Sequence, residues 1–158
     1  MKKKVIALLL AYNAEKTLEK FYKTFPHSLV DEIIVFDDAS SDQTVDIAKR
    51  LRLRVYRNKC NLGYGGNLKR ALSICLAEGA DIIVDIHPDG EYGTNVLPSA
   101  ISKMKDGADL VLGNRFRSTK GTLQSGMFAW KYVVIKFLNY LCAAVLKTSV
   151  IDFHTGFR

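Results

Sequence analysis

Residues 81–92 read Asp-Ile-Ile-Val-Asp-Ile-His-Pro-Asp-Gly-Glu-Tyr. The first half is an apolar, β-branched run that is typical of a buried parallel strand, and a proline and a glycine then end it. Ligands of open α/β sheets bind beyond the carboxyl ends of the strands, where His87, Asp89 and Glu91 lie. Their nitrogen and oxygen atoms predict a divalent cation site. A solvated turn, which the same residues would form well, is the alternative.

Composition indicates an ordinary globular domain. The chain has 158 residues, of which 48% are apolar and 25% charged, and its net charge of +7 favours anionic partners such as phosphates or an acidic membrane surface. The three cysteines are an odd number without metal-type spacing, so we expect free thiols in a reducing compartment. The apolar run near Met1 is too short for a signal peptide and predicts a first strand.

Strand and helix patterns alternate over the first 112 residues. Apolar residues at helical spacing lie between short apolar runs, and Ser40 with Gln43 has capping-box spacing before the second helix. This alternation predicts an α/β fold with a Rossmann-like, mostly parallel sheet and helices on both faces. The predicted strands are 5–10, 32–36, 53–56, the run quoted above and 109–112.

The pattern from 126 to 147 predicts one long amphipathic helix. Large apolar side chains form one stripe, and lysines interrupt the sequence too often for a transmembrane span. Two interpretations stay open. The stripe packs on the sheet or on a partner subunit, or the helix lies in a membrane interface, as basic helices with aromatic residues do.

Polar residues follow the predicted strands at the edge where ligands bind. Ala11, Tyr12 and Asn13 follow the first strand, and Asp37 and Asp38 follow the second. A tyrosine ring can stack on a base, and a carboxylate can accept a hydrogen bond from the ring N–H of uracil, thymine or guanine. With a cation bound nearby, this rim predicts a nucleoside diphosphate site. The alternatives are a helix cap for the acids and a core position for the tyrosine.

Two other features are less specific. The glycines around Gly65 lack the spacing of a Walker or dinucleotide loop, so they indicate either a close approach of the backbone to a ligand or a permissive start of a helix. Arg115 and Arg117 are two residues apart, so both could face one anion in an extended segment. A solvated basic loop is the alternative.

The order of these motifs resembles the family 2 glycosyltransferases with the GT-A fold. It is most similar to the branch that contains dolichol-phosphate mannose synthase and the bacterial polyprenyl-phosphate glycosyltransferases. Each motif alone is loose, but six in order are fairly specific. The motifs span residues 10–13, 35–42, 61–65, 87–92, 113–116 and 155–158.

The resemblance implies transfer of a hexose, with inversion, from a UDP- or GDP-sugar. The acceptor would be a polyprenyl phosphate or another glycan acceptor, and the cofactor Mn²⁺ or Mg²⁺. It further implies a cytoplasmic protein with peripheral contact to the cytoplasmic face of the membrane and no nucleic-acid partner. A homo-oligomer is compatible with this expectation.

The resemblance also implies roles for single residues. Tyr12 and one of the two acids would hold the base, and Asp89 and Arg115 would be catalytic. The full nucleotide-binding set would be Ala11, Tyr12, Asn13, Asp37, Asp38 and Gly65, the metal ligands His87, Asp89 and Glu91, and the acceptor or phosphate ligands Arg115 and Arg117.

Two departures from the family pattern affect these expectations. His87 stands where the family has an acid, which favours Mn²⁺ over Mg²⁺. Relatives usually continue beyond the motif at 155–158, which implies that residues 1–158 are one catalytic domain truncated at its carboxyl end. The alternatives are an inactive nucleotide-sugar-binding scaffold and a receiver-like signalling domain, although the latter needs acids after the first strand.

Overall fold

The computed structural model describes residues 2–88, 94–114, 128–148, 150, 152, 153, 155, 157 and 158. The chain divides into two compact units. The first comprises Met1–Val111 with Phe157–Arg158, and the second Leu112–Gly156.

A four-stranded parallel sheet forms the centre of the first unit. Its strands are β1 (Val5–Ala11), β2 (Glu32–Asp37), β3 (Arg54–Arg57) and β4 (Ile82–Asp85), in the order β3-β2-β1-β4. All seven residues of β1 are buried, as a continuous apolar run in a central parallel strand requires. The predicted parallel sheet is therefore confirmed.

Helices cover both faces of this sheet. They are α1 (Leu18–Thr24), α2 (Thr44–Arg50), α3 (Gly63–Ala77) and α4 (Leu97–Lys105), with short 3₁₀ turns at His27–Leu29 and Thr94–Val96. Alternate β1 side chains enter two separate cores, since successive residues of a strand point to opposite faces. One core contains residues of α1, α2 and α4, and the other contains residues of α3.

The strand predicted at Asp109–Leu112 is wrong. No strand is assigned to these four residues, and Leu110 is 64% exposed. The equally short apolar run Ile82–Val84 is part of β4, so such a run alone does not distinguish a buried strand from an exposed segment. The outer edge of β4 instead meets Arg158. Asp85 and Arg158 exchange both backbone hydrogen bonds, with N···O distances of 2.7 and 3.0 Å, which is antiparallel pairing.

The capping box predicted from Ser40 and Gln43 is also wrong. Helix α2 begins at Thr44 without a side-chain bond from Gln43, and Ser40 Oγ accepts a hydrogen bond from the Asn13 N–H at 2.9 Å. Asp42 instead caps the first turn of the helix. Its Oδ1 accepts from the Thr44 N–H at 2.9 Å and from the Thr44 hydroxyl at 2.5 Å.

We expect Asp42→Ala to lower the free energy of unfolding by about 1–2 kcal/mol, the range found when a helix-capping side chain is removed. Asp42 Oδ2 also accepts from the Glu15 N–H at 3.0 Å, so the substitution loosens the loop after β1 as well. Urea denaturation would measure the change. Asp46→Ala removes an exposed charge from the same helical turn and should change stability by less than about 0.5 kcal/mol, the usual limit for surface positions. Equal losses in both variants would contradict the role of Asp42.

Helix α5 (Ala129–Leu146) belongs to the second unit, and the residue after it, Lys147, has a left-handed backbone. It matches the helix predicted over 126–147 except for its first residues, part of which lie outside the described residues. Tyr132 and Asn139 are buried, and Asn139 Oδ1 accepts from the Phe153 N–H at 3.0 Å. Within the described residues, no helix combines the length and hydrophobicity needed to cross a membrane.

The face of α5 opposite these buried residues is apolar and exposed. Trp130 is 68% and Phe137 60% exposed, although soluble amphipathic helices normally bury such a face. The remaining exposed apolar side chains at this face and its margins are Val133, Val134, Leu138, Tyr140, Leu141 and Val145.

Candidate functional site

A pocket of about 480 Å³ lies at the carboxyl ends of β1, β2 and β4 in the first unit. Its volume is in the range of small-molecule sites. The position is the one expected for parallel sheets, beyond the strand ends. Five residues predicted from the sequence line it, namely Ala11, Tyr12, Asn13, Asp38 and His87, together with Asn61, Gly63, Tyr64 and Asn67 among others.

The loop after β1 is attached to the loop after β2. The Asn13 N–H donates to Ser40 Oγ at 2.9 Å, and Asn13 Oδ1 accepts from the Ser41 N–H at 2.9 Å. Asn13 has a φ of 52°, a left-handed conformation that asparagine tolerates better than most residues. These bonds hold the loop while the Tyr12 ring stays 56% exposed at the pocket, where it is free to stack on a flat ligand.

The two aspartates after β2 have different surroundings. Asp37 is fully buried, accepts from the Ser40 N–H at 3.1 Å and lies 3.4 Å from Arg57 Nε, and it is not among the lining residues of the pocket. Asp38 lines the pocket. Of the two predicted acids, only Asp38 thus lines the pocket, while Asp37 is bonded to the Ser40 N–H of the loop.

The exit of β4 brings His87 into the pocket wall beside Tyr64, with 5.3 Å between the two ring centroids. Asp85 is buried, and its Oδ2 accepts from Arg158 Nη1 at 3.2 Å. Arg158 also donates to the Tyr64 hydroxyl. Burial raises the pKa of Asp85 and the pKa of Tyr64. Asp85 is thus not among the lining residues of the pocket, and Arg158 links it to the pocket residue Tyr64.

Several predicted site residues lie outside the described residues. They are the metal candidates Asp89 and Glu91 and the phosphate candidates Arg115 and Arg117. Gly65 is described and lies in the first turn of α3 away from the lining, where Gly63 and Tyr64 reach the pocket instead. The proposed roles of all five stay predictions.

The described residues alone contain no group of three or more His, Cys, Asp or Glu side chains that could hold a metal ion. His87 is the one predicted ligand whose position is described, and it lies at the pocket. An imidazole with two carboxylates following at alternate positions is a donor set that suits Mn²⁺. Asp89 and Glu91 lie outside the described residues, so the cation site stays a prediction.

The sequence analysis missed Asn58, Asn67, Tyr64 and Arg158. Tyr64 and Arg158 lie in the motifs at 61–65 and 155–158 but received no role. Asn67 also gave a usable signal, because it lies on the stripe of α3 that Ala71 and Cys75 bury, and asparagine is rarely placed there without partners. Asn58 Nδ2 donates to Asp38 Oδ1 at 2.7 Å and to Asn67 Oδ1 at 3.1 Å. Nothing in the spacing of these residues indicates that they meet.

Comparisons with known proteins agree with this architecture. The chain is 27% identical over 139 residues to the UDP-N-acetylglucosamine–dolichyl-phosphate N-acetylglucosaminyltransferase of Methanococcus voltae, covering 76% of this chain and 55% of that protein. It is 24% identical to the polyprenol monophosphomannose synthase of Mycolicibacterium smegmatis, covering 98% of this chain and 60% of that one. The chain thus spans little more than half the length of these relatives.

A solved structure matches the fold. Glucosyl-3-phosphoglycerate synthase from Mycobacterium tuberculosis, in complex with Mn²⁺, UDP and glucosyl-3-phosphoglycerate, superposes with a TM-score of 0.72 at 24% identity, covering 98% of this chain and 55% of that one. The fold is GT-A, as the sequence predicted. The sequence profile described as Glycosyl transferase family 2 matches residues 7–158, nearly the whole chain, and the protein belongs to that family.

Proposed function

We propose that the protein is a hexosyltransferase that uses a UDP- or GDP-sugar as donor and a polyprenyl phosphate as acceptor. The observation that carries this proposal is the shared pocket, where Tyr12, Asp38 and His87 meet although they are far apart in the chain. An aromatic ring, an acceptor carboxylate and a metal-ligand side chain around one space of about 480 Å³ are the groups that a nucleotide sugar needs.

The base would lie against Tyr12 and donate its ring N–H to Asp38. The diphosphate would then extend toward His87, where Asp89 and Glu91 follow in the sequence. When bound there, Mn²⁺ or Mg²⁺ supplies positive charge that stabilises the leaving diphosphate. Arg115 would add a fixed positive charge to the same group, and Arg117 would bind the acceptor phosphate.

A phosphate acceptor simplifies the chemistry. Its oxygen is already ionised at neutral pH, so the protein needs no general base to remove a proton before attack. A single displacement at the sugar carbon breaks the bond to the donor diphosphate and forms the bond to the acceptor phosphate, which inverts the configuration. The named activities of the relatives on dolichyl phosphate and polyprenol support this class of acceptor.

A lipid acceptor requires contact with a membrane. We propose that the protein is cytoplasmic and binds the cytoplasmic membrane face peripherally through the exposed face of α5. The aromatic and aliphatic side chains of that face, with Lys136 exposed beside them, have the composition of interfacial helices.

The direct test is release of UDP or GDP from a panel of nucleotide sugars, with Mn²⁺ present or chelated and with polyprenyl phosphate added or omitted. We expect release that needs both the cation and the lipid phosphate. Asp89→Ala should abolish cation-dependent nucleotide binding with little change in melting temperature, because the role proposed for this carboxylate is to hold the cation.

The outcomes separate the remaining alternatives. Nucleotide-sugar binding without turnover, even with lipid phosphate present, would favour the inactive scaffold, for which the histidine at position 87 is the motivating feature. Retained cation-dependent affinity in Asp89→Ala would exclude this residue as a ligand. Absence of any nucleotide binding by the folded protein would overturn the proposal.

A further inference from the structure

Three buried polar side chains form a chain of hydrogen bonds at the wall of the pocket. Asn67 Nδ2 donates to the carbonyl oxygen of Phe36, at the end of β2, at 2.9 Å. Asn67 Oδ1 accepts from Asn58 Nδ2 at 3.1 Å, and Asn58 Nδ2 donates again to Asp38 Oδ1 at 2.7 Å. The chain of bonds thus begins at a backbone carbonyl and ends at the acid in the pocket.

The backbone carbonyl sets the direction of every bond in this series. A carbonyl can only accept, so Asn67 must turn its amide nitrogen toward Phe36 and its oxygen toward Asn58. Asn58 must then present its own nitrogen, whose two hydrogens serve Asn67 and Asp38. Reversing either amide would place two donors or two acceptors together inside the protein. The cost of unpaired buried groups excludes that arrangement, since all three side chains are at most 6% exposed.

As a consequence, the two carboxylate oxygens of Asp38 have different hydrogen-bond partners. Oδ1 accepts from Asn58 and also from the Leu62 N–H at 2.8 Å, so it is committed to the protein as an acceptor. Oδ2 is the oxygen left for a ligand, and Asp38 lines the pocket. A carboxylate oxygen accepts hydrogen bonds, so Oδ2 presents an acceptor to a ligand in the pocket.

We infer that Asn58 and Asn67 are positioning residues for base recognition, because they fix the Asp38 side chain with Oδ1 bonded to the protein and Oδ2 left for the base. The inference rests on the proposed function and deepens it. Such a site selects bases that carry a ring N–H at the edge presented to the acid, as uracil and guanine do. It rejects cytosine and adenine, whose corresponding ring nitrogen is an acceptor.

The test compares the affinities for UDP and CDP, and for GDP and ADP, in the presence of Mn²⁺ by calorimetry on the full chain. Asn58→Asp keeps the shape of the side chain but replaces the donor with an acceptor against Asp38. Two carboxylates at that distance repel each other, so the Asp38 side chain should leave the orientation in which its Oδ2 meets the base. In the wild-type protein, one nucleotide with a ring N–H, UDP or GDP, should bind better than its counterpart, CDP or ADP. We expect this ratio of affinities to fall at least about tenfold in Asn58→Asp.

A matched variant separates charge from hydrogen-bond direction. Asn61 also lines the pocket, and its Oδ1 accepts from the Gly63 N–H at 2.8 Å, so Asn61→Asp adds the same charge and keeps the acceptor. This variant should weaken the binding of all four nucleoside diphosphates alike and keep the wild-type preference among bases. Asn58→Ala, measured in parallel, removes the donor without adding charge and should also reduce the preference.

The results distinguish this inference from the proposed function. If the wild-type protein binds none of the four nucleotides, the proposed function fails. If it binds one pair selectively and a folded Asn58 variant keeps that selectivity, the positioning role is overturned while the function stands. A loss of preference in Asn58→Asp and Asn58→Ala, but not in Asn61→Asp, would support it.

Discussion

Replacing Asp38 by asparagine is expected to lower the affinity for UDP or GDP about 10- to 100-fold, the equivalent of one hydrogen bond to a charged acceptor. The amide oxygen can still accept from Asn58 and Leu62, which bond to Oδ1 in the wild-type protein. The amide nitrogen then replaces Oδ2 and offers a donor to the base. Affinity for CDP, whose ring nitrogen accepts, should therefore rise relative to UDP. Calorimetric titration of both nucleotides measures the two effects together.

Asp37→Asn is the matched comparison, because it makes the same chemical change one residue away. Asp37 is buried beside Arg57 and the Ser40 N–H, outside the pocket lining. We expect this variant to lose about 1–2 kcal/mol of folding stability and to keep the wild-type preference among bases. If Asp37→Asn changed the preference and Asp38→Asn did not, the assignment of the two acids would be reversed.

The fold was predictable where local patterns were long. The run at Val5–Leu10 is continuous and apolar, and it became β1, a central strand of the parallel sheet. The prediction failed at Asp109–Leu112, where three apolar residues could not reveal whether a neighbouring strand would pair with them. Pairing at the β4 edge involves Arg158, which is 73 residues from Asp85 in the chain.

The sequence predicted those site residues that directly follow the strands of the sheet. Parallel strands deliver their following loops to one edge, which is why Tyr12, Asp38 and His87 could be grouped before their positions were known. The supporting side chains could not be grouped in this way. Asn58 and Asp38 are 20 residues apart and meet only because β3 lies beside β2. Hydrogen bonds between such residues depend on tertiary packing, which local spacing does not encode.

The apolar face of α5 should bind lipid vesicles. We expect the full chain to sediment with anionic vesicles, and Phe137→Glu combined with Leu141→Glu to reduce the partition at least about tenfold. Each of these side chains would contribute about 1 kcal/mol when partly inserted into lipid, and a carboxylate in its place would resist insertion. Both residues are exposed and one helical turn apart, so the change leaves the buried contacts of Tyr132 and Asn139 in place.

Lys136→Glu distinguishes insertion from simple attraction of charges. It changes the net charge by the same two units as the double substitution but leaves the apolar face intact. If binding depends on insertion, Lys136→Glu should lose less affinity for vesicles than the double substitution, and its remaining binding should persist on neutral vesicles. Binding by charge alone would fall equally in both variants and disappear at high salt.

Sedimentation velocity without lipid tests whether a second copy of the chain covers this face instead of a membrane. A dimer that the double substitution dissociates, with no vesicle binding by the wild-type chain, would show that a second copy and not a membrane covers this face.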